Sequence, residues 1–217
     1  SQRDKDGKVV STDKYTPLSF YNKLWGYDLN NDYVLVMNDP SREYYKVYQI
    51  EYDRHTYDGH DWVYLNLPNE EVKPMLIASL KDSTAMYISC DVNKFLNRQK
   101  GVMDLKNFDY KSLLGVTMTM DKRERIITHA SASSHAMTLI AVDIDKATSK
   151  PTKWMVENSW GKDNGFKGNY IMTDEWFNEY MFRFVLNKQY VPESVAKLLK
   201  QKPIKLPAWD PMFAPEE

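Results

Sequence analysis

Short apolar runs separated by charged turns recur along this sequence, and most of them have the length of β-strands. Residues 45–52 alternate apolar with polar positions, and residues 62–67 form a second run of strand length. Asp58 and Gly59 lie between the two runs and are typical turn residues. The pattern predicts a β-hairpin with a wide loop.

Further along the chain, apolar, β-branched and aromatic residues cluster in five more runs of strand length. The run that begins at His135 is continuous enough to favour a strand buried on both faces. The predicted strands lie near residues 84–91, 135–143, 153–158, 168–172 and 181–187.

Helical spacing of apolar residues appears in four places, each with a start signal. Asn69 is predicted to cap the second helix, although Pro74 lies close to its start. After Lys200 the prolines of the tail exclude regular structure, so an extended carboxy terminus is expected. The predicted helices begin at Thr16-Pro17, at Asn69, at Thr173 and at Pro192.

Charge and composition exclude several classes of function. The 217 residues hold 29 Lys and Arg against 30 Asp and Glu, which disfavours a strongly basic binder of nucleic acid or anionic membrane. No apolar run approaches the roughly 20 residues that span a bilayer. The single cysteine rules out an internal disulfide framework. Residues 1–14 are polar and lack an initiator Met, which predicts a linker or a cut end.

Four histidines are the first candidates for chemistry. His55 and His60 flank Asp58 and Asp61 at a spacing that a metal site can use. Exposed turns collect the same residue types for reasons of turn chemistry, so no metal site is predicted. His129 lies in a charged stretch and is expected to be solvated.

His135 differs because it opens an apolar strand, and Asn158 follows on the strand predicted to lie beside it. An amide oxygen there can hold the imidazole, and the indole of Trp160 can shield that hydrogen bond from water. Taken alone, the pattern also fits a structural histidine and an Asn-Ser turn.

Longer blocks around these residues resemble known sequences. His135-Ala136, followed by residues 157–161 and 168–170, resembles the histidine and asparagine blocks of papain-like cysteine proteases. Residues 153–161, residues 173–177 and the tail Leu206 to Met212 are similar to one branch, the bleomycin hydrolase and bacterial aminopeptidase C family. The resemblance covers about residues 15–213.

The resemblance implies an α+β fold: the carboxy-terminal β-sheet lobe of a papain-like cysteine peptidase, with a strongly curved, mostly antiparallel sheet and peripheral helices. It implies that His135 is the general base and acid, that Asn158 orients it, and that Trp160 covers their hydrogen bond. The predicted organisation is a linker or cut end at 1–14, a helix and hairpin segment at 15–67, the β lobe with the site at 68–190, and a helix and extended tail at 191–217.

The nucleophile of the family has no counterpart here, because no glutamine and cysteine block of the expected type is present. Cys90 lies in an apolar strand, where a thiol is expected to be inert. We therefore expect the cysteine to come from an amino-terminal part of the same protein, and this chain alone to be inactive. The alternative is a noncatalytic binding or assembly module that kept the lobe.

The family's carboxy terminus runs into the cleft, where it leaves room only for substrates with a free amino end. The resemblance thus assigns a substrate-gating tail to Trp209, Met212 and Glu217, although the ending after Met212 is more acidic than expected. It further implies peptide substrates, a cytoplasmic location and a possible homo-hexamer. Neither a cofactor nor a nucleic-acid or membrane partner is expected.

Overall fold

The computed structural model describes residues 1–26 and 28–213 and divides the chain into two compact units. The first unit is Ser1–Asp32, and the second begins at Tyr33. Among the described residues, no helix is both long and apolar enough to cross a membrane.

The first unit contains a short hairpin and two helices. Thr16 caps the first helix through a reciprocal pair of hydrogen bonds with Ser19, and Pro17 occupies its first position, as the sequence predicts. Residues 1–14, which the sequence predicts to be a linker or a cut end, contain a two-stranded antiparallel hairpin. The elements are β1 (Gln2–Arg3), β2 (Val9–Ser11), α1 (Pro17–Leu24) and α2 (Leu29–Asp32).

The second unit is built on one sheet of eleven strands, most of them antiparallel to their neighbours. In chain order the strands are β3 (Tyr33–Met37), β4 (Lys46–Ile50), β5 (Val63–Asn66), β6 (Met86–Cys90), β7 (Leu96–Asn97), β8 (Val102–Met103), β9 (His135–Ile144), β10 (Pro151–Glu157), β11 (Asn169–Thr173), β12 (Met181–Asn187) and β13 (Ile204–Leu206).

The order of the strands across the sheet is β13-β4-β5-β3-β12-β6-β9-β10-β11-β8-β7. The predicted hairpin is confirmed, since β4 and β5 pair antiparallel. The five predicted central strands lie side by side as β12, β6, β9, β10 and β11, all antiparallel. β3 was not predicted; it joins β5 to β12. The boundary expected after residue 67 therefore runs through a continuous sheet.

Five helices accompany the sheet: α3 (Asn69–Lys81), α4 (Tyr110–Leu114), α5 (Lys122–Ile127), α6 (Asp174–Tyr180) and α7 (Glu193–Ala196), the last continuing as a 3₁₀ turn over Lys197–Lys200. The predicted cap at Asn69 is wrong. Pro68 holds the cap position, and the Asn69 amide instead donates to Asn178 on α6. Pro74 does not break α3, which continues to Lys81.

Two apolar clusters cover opposite faces of the sheet. Val36 joins the larger cluster and the next residue of β3, Met37, joins the smaller one, so the two clusters lie on either side of the strand. Helices α3 and α6 cover the larger cluster. The smaller cluster includes Leu206 and Met212, so the tail packs on the other face.

The tail is more regular than its prolines predict, and the expectation of no regular structure after Lys200 is wrong. Ile204–Leu206 forms β13, which pairs parallel with β4. Pro203 and Pro207 flank these three residues, so neither proline removes an N–H group from the strand itself. The edge of the sheet thereby fixes the start of the tail.

Lys122 is a buried cation that connects three segments of this unit. Its Nζ donates to Asn38 Oδ1 at 2.5 Å and to the carbonyl of Met181, and it lies 4.7 Å from the ring centre of Phe182. Burial lowers the pKa of Lys122 from 10.5 to about 7. A neutral amine keeps two N–H groups, which is enough for both oxygen acceptors.

We expect the replacement Lys122→Met to remove part of the pH dependence of folding. Between the folded pKa of about 7 and the unfolded value of 10.5, the unfolded chain binds a proton that the folded chain lacks, so wild-type stability rises with pH. Urea unfolding at about pH 7 and about pH 9.5 should show that the free energy of unfolding rises by about 3 kcal/mol more in the wild type than in the variant. If the free energy of unfolding changed equally with pH in the two proteins, the pKa of Lys122 would not be lowered in the folded chain.

Candidate active site

His135 and Asn158 meet at one end of the antiparallel pair β9 and β10. His135 is the first residue of β9, and Asn158 directly follows the last residue of β10. The register pairs Glu157 with Thr138, which brings the two side chains to the same end. His135 Nε2 lies 2.9 Å from Asn158 Oδ1, within hydrogen-bond distance.

A second hydrogen bond fixes which nitrogen of His135 carries the proton. Asn158 Oδ1 also accepts the backbone N–H of Ser159 at 2.7 Å, so this atom is the amide oxygen and can only accept. The ring must then donate from Nε2, and in the neutral imidazole Nδ1 keeps its lone pair. Nδ1 has no hydrogen-bond partner within the described part of the chain.

Trp160 covers this pair on one side. Its ring centre lies 5.1 Å from that of His135, and the planes are tilted by 41°. Tyr170 supports the indole edge to face at 5.7 Å, and the guanidinium of Arg98 lies 4.4 Å from the ring centre. Asn158 is 8% exposed, so the amide lies in a site from which water is largely excluded.

The loop after Trp160 holds the indole and the amide in place. Gly161 has a φ of +87°, a conformation that favours glycine, and the Asn164 amide donates to the Trp160 carbonyl at 2.6 Å. A Cβ on Gly165 would lie 2.4 Å from the Asn169 carbonyl oxygen. Position 165 therefore has no room for a side chain, which explains the glycine there. The Asn158 N–H donates to the Gly168 carbonyl at 3.0 Å, which closes the loop.

Cys90 lies opposite His135 on the neighbouring strand β6, but its surroundings oppose reactivity. The side chain is fully buried, and burial raises the pKa of its thiol well above the ordinary value. No hydrogen bond joins Cys90 to His135 in the residues that the structure describes. The thiol belongs to the larger apolar cluster.

We expect Cys90 to react slowly with a cysteine-directed epoxide in the folded chain. Modification requires a thiolate, and burial penalises both the thiolate and the approach of the reagent. Intact-mass measurement should show fast labelling only after unfolding in urea. Fast stoichiometric labelling of the native chain that disappears in His135→Ala would contradict this and make Cys90 a nucleophile.

The predicted tail residues occupy different environments. Trp209 is 76% exposed, whereas Met212 is fully buried in the smaller cluster. The Met212 carbonyl accepts the N–H of Ser133 at 2.9 Å, close to His135 in the chain. Glu217 lies outside the described residues.

A partly buried ion pair anchors this tail, and the sequence did not indicate it. Asp210 is buried and pairs with Arg42, whose Nε lies 4.0 Å from a second buried carboxylate, Asp39. Burial raises the pKa of Asp39. Nothing local distinguishes Asp210 from a solvated aspartate, because its partner is 168 positions away in the chain.

The remaining histidines are His55, His60 and His129, and none of them belongs to a metal-ligating group among the described residues. His55 packs against Trp62 with ring centres 4.6 Å apart, and Asp61 pairs with Arg54 at 3.6 Å. Across the described ranges, no group of three His, Cys, Asp or Glu side chains has an arrangement that could hold a metal ion. His129 has a φ of +58° and follows α5.

Arg183 is a further polar residue near the site that the sequence reasoning missed. It lies on β12 and donates from Nε to Ser133 Oγ at 2.7 Å. A signal existed in the sequence: Arg183 is the one charged residue in the strand Met181–Asn187, whose other members are apolar except for the terminal Asn187.

Comparison with known proteins places this chain in a family. The model of the Peptidase C1-like family matches residues 1–213. Bleomycin hydrolase of Homo sapiens is 42% identical over an alignment of 217 positions that covers 98% of this chain and 48% of that protein. Aminopeptidase C of Lactobacillus delbrueckii subsp. lactis is 38% identical over 97% of this chain and 47% of its own length.

A solved structure agrees with these sequence matches. PepW from Lactobacillus rhamnosis HN001 superposes with a TM-score of 0.91 at 33% identity, over 98% of this chain and 48% of that one. The chain thus spans about half the length of the relatives it matches. It has the α+β fold of a papain-like lobe, and it belongs to the Peptidase C1-like family, with bleomycin hydrolase and aminopeptidase C among its relatives.

Proposed function

We propose that this chain supplies the general base and the orienting residue of a cysteine aminopeptidase. The nucleophilic cysteine would come from an amino-terminal part of the same protein, outside this chain. The observation that carries the proposal is the 2.9 Å contact of His135 Nε2 with Asn158 Oδ1, which leaves Nδ1 without a partner among the described residues.

In the proposed mechanism Nδ1 of His135 takes the proton of the incoming thiol. The thiolate attacks the carbonyl carbon of the first peptide bond, and the imidazolium returns the proton to the leaving amine. Water then attacks the acyl-enzyme, again deprotonated by His135, and the thiol is regenerated. Throughout the reaction Asn158 Oδ1 accepts the hydrogen bond from His135 Nε2–H. This bond fixes the orientation of the ring, so Nδ1 stays available for the thiol.

The environment of Cys90 supports a nucleophile from elsewhere. Cys90 is the only cysteine of the chain, it is fully buried and its thiol pKa is raised. A cysteine of this kind meets neither requirement of the mechanism, access for substrate and a thiolate at neutral pH. On this ground the chain alone is proposed to be inactive.

We further propose that the substrates are peptides with a free amino end, because the tail lies near the site. The contact of the Met212 carbonyl with Ser133 brings the tail close to His135, and Asp210 anchors it. A carboxylate of the acidic ending can pair with the ammonium of a substrate, which restricts cleavage to terminal residues. Trp209 and Glu217 remain proposed members of this gate.

The test compares this chain with a protein that also carries the cysteine-bearing part, using an amide of leucine as substrate. We expect no hydrolysis by the chain alone and release of leucine by the longer protein. The matched control is Cys90→Ser, which should keep the activity of the longer protein. No turnover by a longer protein with an intact, alkylatable cysteine would reject the proposal and favour the binding or assembly module.

We also propose that the longer protein is cytoplasmic and forms a hexamer. Analytical ultracentrifugation of the longer protein measures its oligomeric state, and a hexamer is expected. A monomer at micromolar concentration would remove the hexamer and leave the catalytic assignment intact, because His135 and Asn158 lie within one chain.

A further inference from the structure

Arg98 is linked to the His135–Asn158 pair by one aromatic ring, that of Trp160. Arg98 directly follows β7, and its guanidinium carbon lies 4.4 Å from the ring centre of Trp160. The same ring centre lies 5.1 Å from that of His135. The guanidinium therefore lies no farther from the imidazole than these two distances together.

The Arg98 side chain is open to solvent and has no partner of opposite charge. The residue is exposed, and its guanidinium makes no hydrogen bond or ion pair within the described part of the chain. A cation over an aromatic face is attracted to the ring without using its N–H groups. The five N–H groups of the guanidinium therefore remain available for a planar anion.

The surroundings of Arg98 add positive charge. The turn of residues 97–101 packs on the loop of residues 161–168, so that a Cβ on Gly101 would lie 2.6 Å from Gly165 Cα. The two segments, here called the cationic rim, favour the binding of an anion, because they hold four exposed cations and one acid with no ion pair among the described residues. The cations are Arg98, Lys100, Lys162 and Lys167, and the acid is Asp163.

The cationic rim and the tail lie on opposite sides of His135. In the sheet, β9 stands between β6 and β10. On the β6 side, Ser133 contacts both β6 and the carbonyl of Met212 in the tail. On the β10 side, residues 161–168 follow β10, and residues 97–101 join β7 to β8 beyond β11. If the tail holds the amino end of the substrate, as proposed, the leaving part of the substrate extends toward the rim.

The chemistry of the proposed reaction makes the leaving part of the substrate begin at His135. The imidazolium gives its proton to the nitrogen of the leaving amine, so this nitrogen lies within hydrogen-bond distance of Nδ1. Each residue of an extended peptide spans about 3.5 Å, so a free carboxylate one or two residues away lies about 4–7 Å from that nitrogen. The distances from His135 to Arg98 through Trp160 allow such a carboxylate to reach the guanidinium.

From this geometry we propose that Arg98 binds the free carboxylate of the leaving amino acid or dipeptide. Arg98 is then a specificity-determining residue, which favours dipeptides and tripeptides over longer or carboxy-blocked peptides. A guanidinium forms two parallel hydrogen bonds with a carboxylate, which the lysines of the rim cannot do. The inference rests on the proposed peptidase function for the bond that is cleaved and adds to it the length of the substrate.

The test uses the longer, cysteine-containing protein with leucyl-glycine and leucyl-glycinamide, two substrates that differ only in the charged carboxylate. We expect kcat/KM to favour leucyl-glycine by about tenfold in the wild type. Arg98→Gln should reduce this ratio to about one, and Arg98→Lys, which keeps the charge without the planar fork, should give an intermediate ratio. Lys197→Gln, which removes an exposed cation paired with Glu193, controls for net charge and should keep the ratio of the wild type.

Lys100→Gln is the matched variant within the rim, because it removes an equal charge two positions from Arg98. We expect it to lower the ratio far less than Arg98→Gln does. An equal fall in both variants would assign the preference to the field of the whole rim and overturn the role of Arg98. A ratio of about one in a wild-type protein that hydrolyses leucine amide would overturn the inference and leave the proposed function standing. No hydrolysis of leucine amide would instead reject the proposed function, and the inference with it.

Discussion

Replacing His135 with alanine in the complete, cysteine-containing peptidase is expected to lower kcat by about 10,000-fold. The substitution removes the lone pair of Nδ1 that would take the thiol proton and the acid that would protonate the leaving amine. Steady-state hydrolysis of leucine amide measures the loss. Because these proton transfers contribute in the transition states and not to binding of the substrate, KM should change far less than kcat.

Asn158→Ala is the matched comparison for this variant. It removes the acceptor at 2.9 Å and leaves the imidazole in place, so the expected loss in kcat is smaller, about 10- to 100-fold. The thermal midpoint of both variants reports whether the lobe still folds. Equal activity of the wild type and of a folded His135→Ala protein would remove His135 from the mechanism.

Shortening the tail is expected to change the substrate class. In the complete enzyme, deletion of residues 209–217 should allow cleavage of amino-blocked or internal peptide bonds, which the intact enzyme is proposed not to cleave. The tail contacts Ser133 through the Met212 carbonyl, so its removal opens the path beside His135. Mass spectrometry of products from a blocked and an unblocked peptide of the same sequence measures the change.

The same deletion is also expected to lower the stability of the fold. It removes the buried Met212 side chain and leaves Arg42 without Asp210, so we expect a loss of about 3 kcal/mol in the free energy of unfolding. A second truncation after Phe213 keeps both anchors and removes only the acidic ending. Asp210→Asn controls for loss of the ion pair with the tail complete.

The two truncations distinguish a steric block from a charge effect. If Glu217 pairs with the substrate ammonium, the shorter truncation should raise KM for unblocked peptides by about tenfold. The longer truncation should in addition admit blocked peptides. An unchanged requirement for a free amino end in both proteins would show that the tail is not the gate.

Much of the sheet was predictable because its strands are encoded by local patterns. The hairpin of β4 and β5 and the five central strands follow from runs of apolar and β-branched residues with turn residues between them. β3 escaped prediction even though its residues are apolar. β3 is as long as β4 and β6, so its apolar run was a usable local signal. Its parallel pairing with β5, by contrast, joins it to a distant part of the chain and leaves no local pattern.

The misplaced helix cap and the unpredicted strand of the tail share one cause. Asn69 was expected to accept a backbone N–H, but its amide contacts Asn178, which is brought near only when α3 and α6 pack on the same sheet. Likewise, Ile204–Leu206 forms β13 because the open edge of β4 offers partners for its backbone. Tertiary contacts override local propensity in both segments.

The sequence by itself determined the resemblance to the family and the positions of the central strands. It also determined that His135 lies close to Asn158, because a hairpin brings nearby positions together whatever the rest of the fold does. The tertiary structure alone decided the anchoring of the tail by Arg42 and Asp210 and the hydrogen bonds of Arg183 to Ser133 and Tyr64. These contacts join positions far apart in the chain. Their energies depend on burial and partner geometry, which exist only after the sheet has formed.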